Sequence, residues 1–192
     1  MTFSSSYETP GMAELITMLV KQVSPVNVLE IGTQQGGSAQ IIVEAMTLGG
    51  AFTTCDLFEP KYRSPPYGDT HCSKEKAEEN LMSYKDTVYI RVLPYGYPDL
   101  LDQLSSRDVD LLHIDICNHY DNLQPILYDI VANNTIHVRK MILLVGGIHN
   151  KWQQQCGFNS YAPMLKKSWL HAWEHATIAF NDHNAITVLW RK

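Results

Sequence analysis

The apolar positions of this chain switch between two periods. Met12, Leu15, Ile16, Leu19, Val20 and Val23 recur at i, i+3, i+4, i+7, i+8 and i+11, the stripe of an amphipathic helix. Ser24-Pro25 stops it, because the residue before a proline is pushed out of the helical region. The short apolar run over 28–31 predicts a buried strand. A helix over 37–48 follows, turning Ile41, Ile42, Ala45 and Met46 inward and closed by Gly49-Gly50 at the position that favours glycine. A strand over 51–56 comes next, then a polar helix over 73–83 opened by Ser73, with Glu75 and Glu78 near its start. Beyond a strand over 87–92 and a turn over 94–98, Leu100, Leu101 and Leu104 mark a short helix. A strand over 109–116 precedes a helix with Leu123, Ile126, Leu127, Ile130 and Val131 on one face and Pro125 in its first turn, where a missing N–H costs little. After a strand over 141–145 come a final helix over 160–173 and two strands, 176–180 and 185–190. Asn181-Asp182-His183-Asn184 is turn chemistry, which makes those two strands antiparallel neighbours.

Strands alternating with helices imply a mostly parallel sheet covered on both faces, with the closing hairpin adding an antiparallel strand. The class is α/β. A length of 192 residues suits a single domain, with 1–26 as a lead-in and helix and 27–192 as the core. Residues 1–11 read as a flexible lead-in. The net charge of −5, with no Lys/Arg cluster, argues against a protein that holds nucleic acid through its phosphates. No apolar run approaches the length that spans a bilayer. Cys55, Cys72, Cys117 and Cys156 are scattered, with no C-x-x-C pair and no secretory leader, and read as free thiols in a reducing, cytoplasmic compartment.

The candidate chemistry starts at Val28-Leu29-Glu30-Ile31-Gly32-Thr33-Gln34-Gln35-Gly36-Gly37-Ser38. A strand runs into a glycine-bearing turn and then a helix, the place where an α/β sheet holds its ligand. Glycine there lets the backbone approach where a Cβ would collide. The spacing is Glu-x-Gly-x-x-x-Gly-Gly, and Gln34 stands where a dinucleotide fingerprint has its second glycine. Together with the absence of a Tyr-x-x-x-Lys pair, this argues against a nicotinamide oxidoreductase. The acid two residues before the first glycine points to a ligand with an amino group. Asp56, 20 residues after Gly36 and at the end of the second strand, is placed to accept hydrogen bonds from ribose hydroxyls; its bland reading is a turn aspartate. The long segment 57–72, with Tyr62, Tyr67 and His71, is either a wall of a substrate cleft or an insertion.

The first motif resembles motif I of the class I S-adenosylmethionine (SAM)-dependent methyltransferases. The resemblance implies a Rossmann-like doubly wound sheet of about seven strands, the last reversed. It also implies SAM as cofactor, lying across Glu30, Gly32, Thr33, Gly36, Gly37, Ser38 and Asp56. Asp115 matches the motif IV acid, close to the amine and methyl group of the cofactor. The segment Ile114-Asp115-Ile116-Cys117-Asn118-His119-Tyr120-Asp121 is similar, more narrowly, to the Ile-Asp-Gly-x-His-x-Tyr motif of macrocin-type small-molecule O-methyltransferases and cephalosporin-hydroxylase-like proteins. Ile116 replaces the glycine, Asn118 takes the histidine position, and His119 lies one residue later.

Two consequences follow from these departures. A hydroxyl attacking a methyl group needs a base, and histidine is the usual one; His119 is one candidate, unless its shift makes it a plain loop histidine, and His149 is another. Metal-dependent members carry an acidic pair after the fifth strand to hold a divalent ion with oxygen ligands. With 141–145 as that strand, Gly146-Gly147 takes the pair's place, so no Mg²⁺ site is expected. Asp115, His119 and His149 form a conceivable transition-metal set that their spacing does not require. Trp152, Phe158, Tyr161 and Trp169 are expected to include at least two core residues, with Trp152 also placed to line a substrate pocket. The expectation is methyl transfer from SAM to a small-molecule hydroxyl, by a chain with no nucleic-acid or membrane partner and with apolar C-terminal residues that permit a homodimer. The alternative is a SAM-binding module that has lost catalysis and acts as a partner or regulatory protein.

Overall fold

The computed structural model describes residues 9–58, 73–116, 119–146, 159–181 and 184–192. Its centre is a seven-stranded sheet in the order β3-β2-β1-β4-β5-β7-β6. The strands are β1 (Asn27–Ile31), β2 (Ala51–Cys55), β3 (Tyr89–Leu93), β4 (Asp108–Ile114), β5 (His137–Val145), β6 (Trp173–Ala179) and β7 (Ala185–Arg191). The first five run parallel, and β7 is antiparallel to both β5 and β6. This is the mostly parallel sheet that the alternating pattern implies, in the Rossmann-like form that the resemblance implies.

Side chains alternate between the two faces of each strand, and two apolar clusters result. On one face Val28, Phe52 and Leu111 meet α1 (Met12–Val23), α2 (Gly37–Ala45) and α3 (Lys74–Leu81) through Met12, Ile16, Val20, Ile42, Val43 and Leu81. On the other, Leu29, Ile31, Leu112 and Ile114 meet α4 (Tyr120–Ala132) through Leu123, Leu127 and Ile130. Glu30 shares the parity of Val28, Thr54 that of Phe52, and His113 that of Leu111. All three polar side chains are therefore carried under α2 rather than under α4. Among the described residues, no helix is long and apolar enough to cross a membrane.

Several boundaries differ from those expected. Helix α2 ends at Ala45, where Met46 turns extended as C-cap and buries its side chain. Gly49, left-handed at φ +81°, serves the turn into β2, its N–H donating to the Thr87 carbonyl at 2.8 Å, instead of capping the helix. Strand β4 stops at Ile114, which leaves Asp115 just beyond the strand. Pro125 is the sixth residue of α4 and so lies in the second turn, one turn deeper than expected.

The helix expected over 160–173 is replaced by two 3-10 turns, Ala162–Lys166 and Ser168–Leu170, and Trp173 opens β6. Pro163 supplies no N–H, and Lys167 at φ −74° and ψ 142° is extended, so no continuous helix survives. The apolar spacing there buries Tyr161, Met164, Leu165 and Leu170 against the sheet without one. Of the four aromatics among which at least two core residues are expected, Tyr161 is in the core, its hydroxyl 2.9 Å from that of Thr187. Burial pushes the Tyr161 hydroxyl far above its ordinary titration range. Trp169 is partly buried at the edge of the same cluster, its ring edge-on to Tyr128 with centroids 5.6 Å apart. Trp152 and Phe158 lie outside the described residues, as do Tyr62, Tyr67 and His71.

Candidate active site

Four strand ends are laced together by backbone hydrogen bonds at the carboxyl edge of the sheet. The Gly32 N–H donates to the Cys55 carbonyl at 2.8 Å, the Asp115 N–H to the Ile31 carbonyl at 2.9 Å, and the Asp56 N–H to the Leu93 carbonyl at 3.2 Å. Gly32, at φ +101°, packs so closely on the chain after β4 that a Cβ built there would stand 2.1 Å from the Asp115 carbonyl oxygen. Only glycine meets both conditions. The sequence thus brings the first turn, Asp56 and Asp115 to one place.

The turn itself is built by backbone. The Gly36 N–H closes on the Thr33 carbonyl at 2.7 Å, with Gly36 at φ +85° and Gln34 also left-handed at φ +46°. The Gln34 N–H donates to Asp56 Oδ2 at 2.8 Å, and the Phe58 N–H reaches Oδ1 at 3.3 Å. From the side, Asn80 of α3 donates from Nδ2 to the Gln35 carbonyl at 2.8 Å, while Gln40 Nε2 donates to the Asn80 carbonyl at 2.9 Å. Gln34 and Gln35 remain exposed, and Asp56 is half-buried. Helix α2 then starts with no side chain bonded across its N-terminus.

Beneath the turn lies a fully enclosed polar cluster. Glu30 receives Ser38 Oγ at 2.6 Å and His113 Nδ1 at 3.0 Å on Oε1, and Thr54 Oγ1 at 2.6 Å on Oε2. The Thr33 hydroxyl contacts that of Thr54. Glu30, Thr54 and His113 have no exposed surface, and Thr33 and Ser38 almost none. Glu30 and Ser38, both named from the sequence as cofactor-site residues, are turned inward here, and their polar atoms are engaged with each other. Of the other turn residues named from sequence, Gly32, Thr33 and Gly36 are buried and Gly37 is partly buried.

His113 and Thr54 escaped the sequence reading. They stand in register with Glu30 on the two flanking strands. The available signal was a histidine inside Leu111-Leu112-His113-Ile114, a run that a central parallel strand buries on both faces. A polar side chain there needs a partner. Cys55 also lies here, and burial, then the charges of Glu30 and Asp56, push its thiol far up, which keeps it an inert core residue.

His119 occupies the N-cap position of α4 with extended backbone. It is nearly buried, its Nδ1 3.9 Å from Asp121 Oδ2. Gly146 directly follows β5 at φ +78°, its N–H donating to the Ala185 carbonyl at 2.8 Å. Strand five therefore ends at Val145 as expected, although it begins at His137 rather than at 141, and a glycine holds the first position after it. Gly147, His149, Cys117 and Asn118 lie outside the described residues. Among the described residues, no group of three His, Cys, Asp or Glu side chains is arranged to hold a metal ion.

A family model described as a methyltransferase domain matches residues 29–139, more than half of the chain. The chain belongs to this methyltransferase family. The matched span of the methyltransferase domain runs from β1 into β5 and contains the turn, Asp56, Asp115 and His119. Among curated proteins none matches significantly. Solved structures share the fold at low identity. Cofactor-bound Rv0187 from MTB has a TM-score of 0.67 at 17% identity, covering 99% of this chain and 82% of that one. An O-methyltransferase from Bacillus cereus in complex with SAH has a TM-score of 0.65 at 16% identity, covering 95% and 81%. The O-methyltransferase TomG from Streptomyces achromogenes, involved in tomaymycin synthesis and in complex with SAM, has a TM-score of 0.64 at 14% identity, covering 94% and 79%.

Proposed function

We propose that this methyltransferase moves the methyl group of SAM to a hydroxyl of a small molecule, with the cofactor seated on the turn after β1. The observation that carries this is the convergence of the glycine-built turn, Asp56 and Asp115 at one end of the sheet. The residues present fit such a ligand. Asp56 is half-exposed at the rim, suited to ribose hydroxyls. The uncapped N-terminus of α2 suits the carboxylate of an amino acid. The SAH and SAM of the Bacillus and Streptomyces structures support the assignment.

When bound, SAM supplies an electrophilic methyl group. The chain's part is placement: the backbone of Gly32, Thr33, Gly36 and Gly37 cradles the amino-acid end, and Asp56 holds the ribose. Asp115 stands at the reacting end. Orientation of this kind supplies a large share of the rate in group transfer. His119 and His149 are the bases proposed to take the hydroxyl proton. A lost base costs about 10²-fold or more in kcat, with SAM affinity unchanged; the drop is expected in His119→Ala or in His149→Ala, and full activity in both variants would rule out both. The net charge of −5 supports a small-molecule acceptor over nucleic acid, and the scattered cysteines support a reducing, cytoplasmic compartment. A SAM-binding module without catalysis is the weaker reading, given the methyltransferase-domain match.

The test is calorimetric titration of SAM and of its demethylated product into chelator-treated protein. Both are expected to bind without added metal. Asp56→Ala is expected to weaken them about tenfold or more, the worth of hydrogen bonds to a charged acceptor. Binding only after Mg²⁺ is restored would overturn the metal-free site, and no binding in either condition would overturn the cofactor assignment.

A further inference from the structure

We infer that His113 and Glu30 are a buried positioning pair that holds the turn over 32–38 in its binding shape from below. The inference rests on the proposed cofactor site but concerns residues that do not touch it.

An ionised carboxylate has only acceptors, so each of its neighbours must donate. Ser38 and Thr54 spend their single hydroxyl hydrogens on Glu30. Thr54 then has only lone pairs left for Thr33, so the hydrogen in that contact comes from Thr33. His113 must carry its proton on Nδ1 to meet Oε1, which fixes the ring orientation. Three of these hydrogens point toward one carboxylate on β1, and the Thr33 hydroxyl joins them through Thr54.

The partners come from different elements, and this gives the cluster its purpose. Thr33 is the entry of the turn and Ser38 its exit into α2, while Thr54 and His113 are fixed in the flanking strands. Glu30 therefore clamps both shoulders of the turn to the rigid middle of the sheet. The exposed middle, Gln34 and Gln35, is tied separately to Asp56 and Asn80. Uncompensated buried charge is costly. Removing the His113 donor leaves the carboxylate short of hydrogen bonds, and the cheapest relief is to open the turn and admit water.

The test compares His113→Leu, His113→Asn and His113→Gln by amide hydrogen exchange and by calorimetric titration with SAM and its demethylated product. Asparagine puts an N–H at the place of Nδ1, whereas glutamine carries its donor one bond farther and leucine has none. Exchange over 32–38 is expected to rise about tenfold in the leucine and glutamine variants, equivalent to about 1.4 kcal/mol of local opening. Affinity for both ligands is expected to fall about as much, with asparagine restoring both. Should the leucine variant not fold, the contrast between asparagine and glutamine carries the same information. Equal acceleration across β3 and β5 would mean a general packing role and overturn the pair's function, as would unchanged exchange in the turn. If the unaltered protein binds neither ligand while exchange in the turn still follows the donor, the cofactor assignment falls and the clamp stands.

Discussion

Gly32→Ala is expected to abolish cofactor binding and to cost about 3 kcal/mol or more of stability, through left-handed strain and steric overlap together. The added Cβ would stand 2.1 Å from the Asp115 carbonyl oxygen and 2.6 Å from its carbon. Both are backbone atoms in the segment that closes β4, so no side chain can swing away to relieve the contact. To accommodate the methyl group, the ends of β1 and β4 must separate. That breaks the bond from the Asp115 N–H to the Ile31 carbonyl and moves Asp115 away from the turn. Gly36→Ala is the control. Its φ of +85° is also left-handed, but the nearest atom to a new Cβ is Leu81 Cγ at 3.8 Å. It should pay the backbone strain alone, about 1–2 kcal/mol. Urea unfolding and SAM titration of the two variants check the ordering; a Gly36→Ala loss as large as that of Gly32→Ala would show that crowding against Asp115 is not the cause.

Asp110→Ala should cost about 1–3 kcal/mol of stability, from two partly buried backbone donors left without an acceptor, while leaving SAM affinity unchanged in the folded protein. Asp110 sits at the opposite edge of the sheet from the site and is almost fully buried. Its Oδ2 accepts the Val26 N–H at 2.8 Å and the Asn27 N–H at 3.1 Å. Oδ1 lies 3.1 Å from Arg139 Nε and 3.9 Å from Lys140 Nζ. One carboxylate thereby joins the start of β1 to β4 and β5. Burial by itself would raise the Asp110 carboxyl, but the two amides, Arg139 and Lys140 outweigh it and hold it below the usual carboxylate range. Because the folded-state pKa is the lower one, this stabilisation is fully present above about pH 4 and is lost as pH falls from there through the lowered folded-state value. The stability gap between the unaltered protein and Asp110→Asn should thus be constant near neutrality and shrink in acid. A gap that persists unchanged to about pH 2, well below the ordinary aspartate pKa, would rule out the charge as its origin.

Much of the fold is legible along the chain because burial in a parallel sheet imposes strong periodicity. The stripe from Met12 to Val23, the runs at 28–31 and 141–145 and the closing hairpin all appear where the pattern puts them. The helix expected over 160–173 failed for a local reason. Tyr161, Met164 and Leu165 have helical spacing, yet 3-10 turns bury the same residues, and Pro163 and the extended Lys167 break the continuous ladder. Pro125 misled in a milder way: its position within α4 depends on where the N-cap falls, and that residue is His119.

The site divides along the same line. Glycines at fixed offsets, an acid closing the second strand and an acid after the fourth are local statements, because each belongs to a single strand end. The sequence by itself therefore determined the α/β class, the methyltransferase resemblance and the residues that line the turn. Only the tertiary structure decided what Glu30 does. Its partners Thr54 and His113 are 24 and 83 residues away, and they meet it through parallel register with two strands that are not neighbours in sequence. An acid two residues before a glycine looks alike whether it faces a ligand or the sheet. The difference lies in the donors that other strands bring to it, and strand register is a property of the assembled sheet.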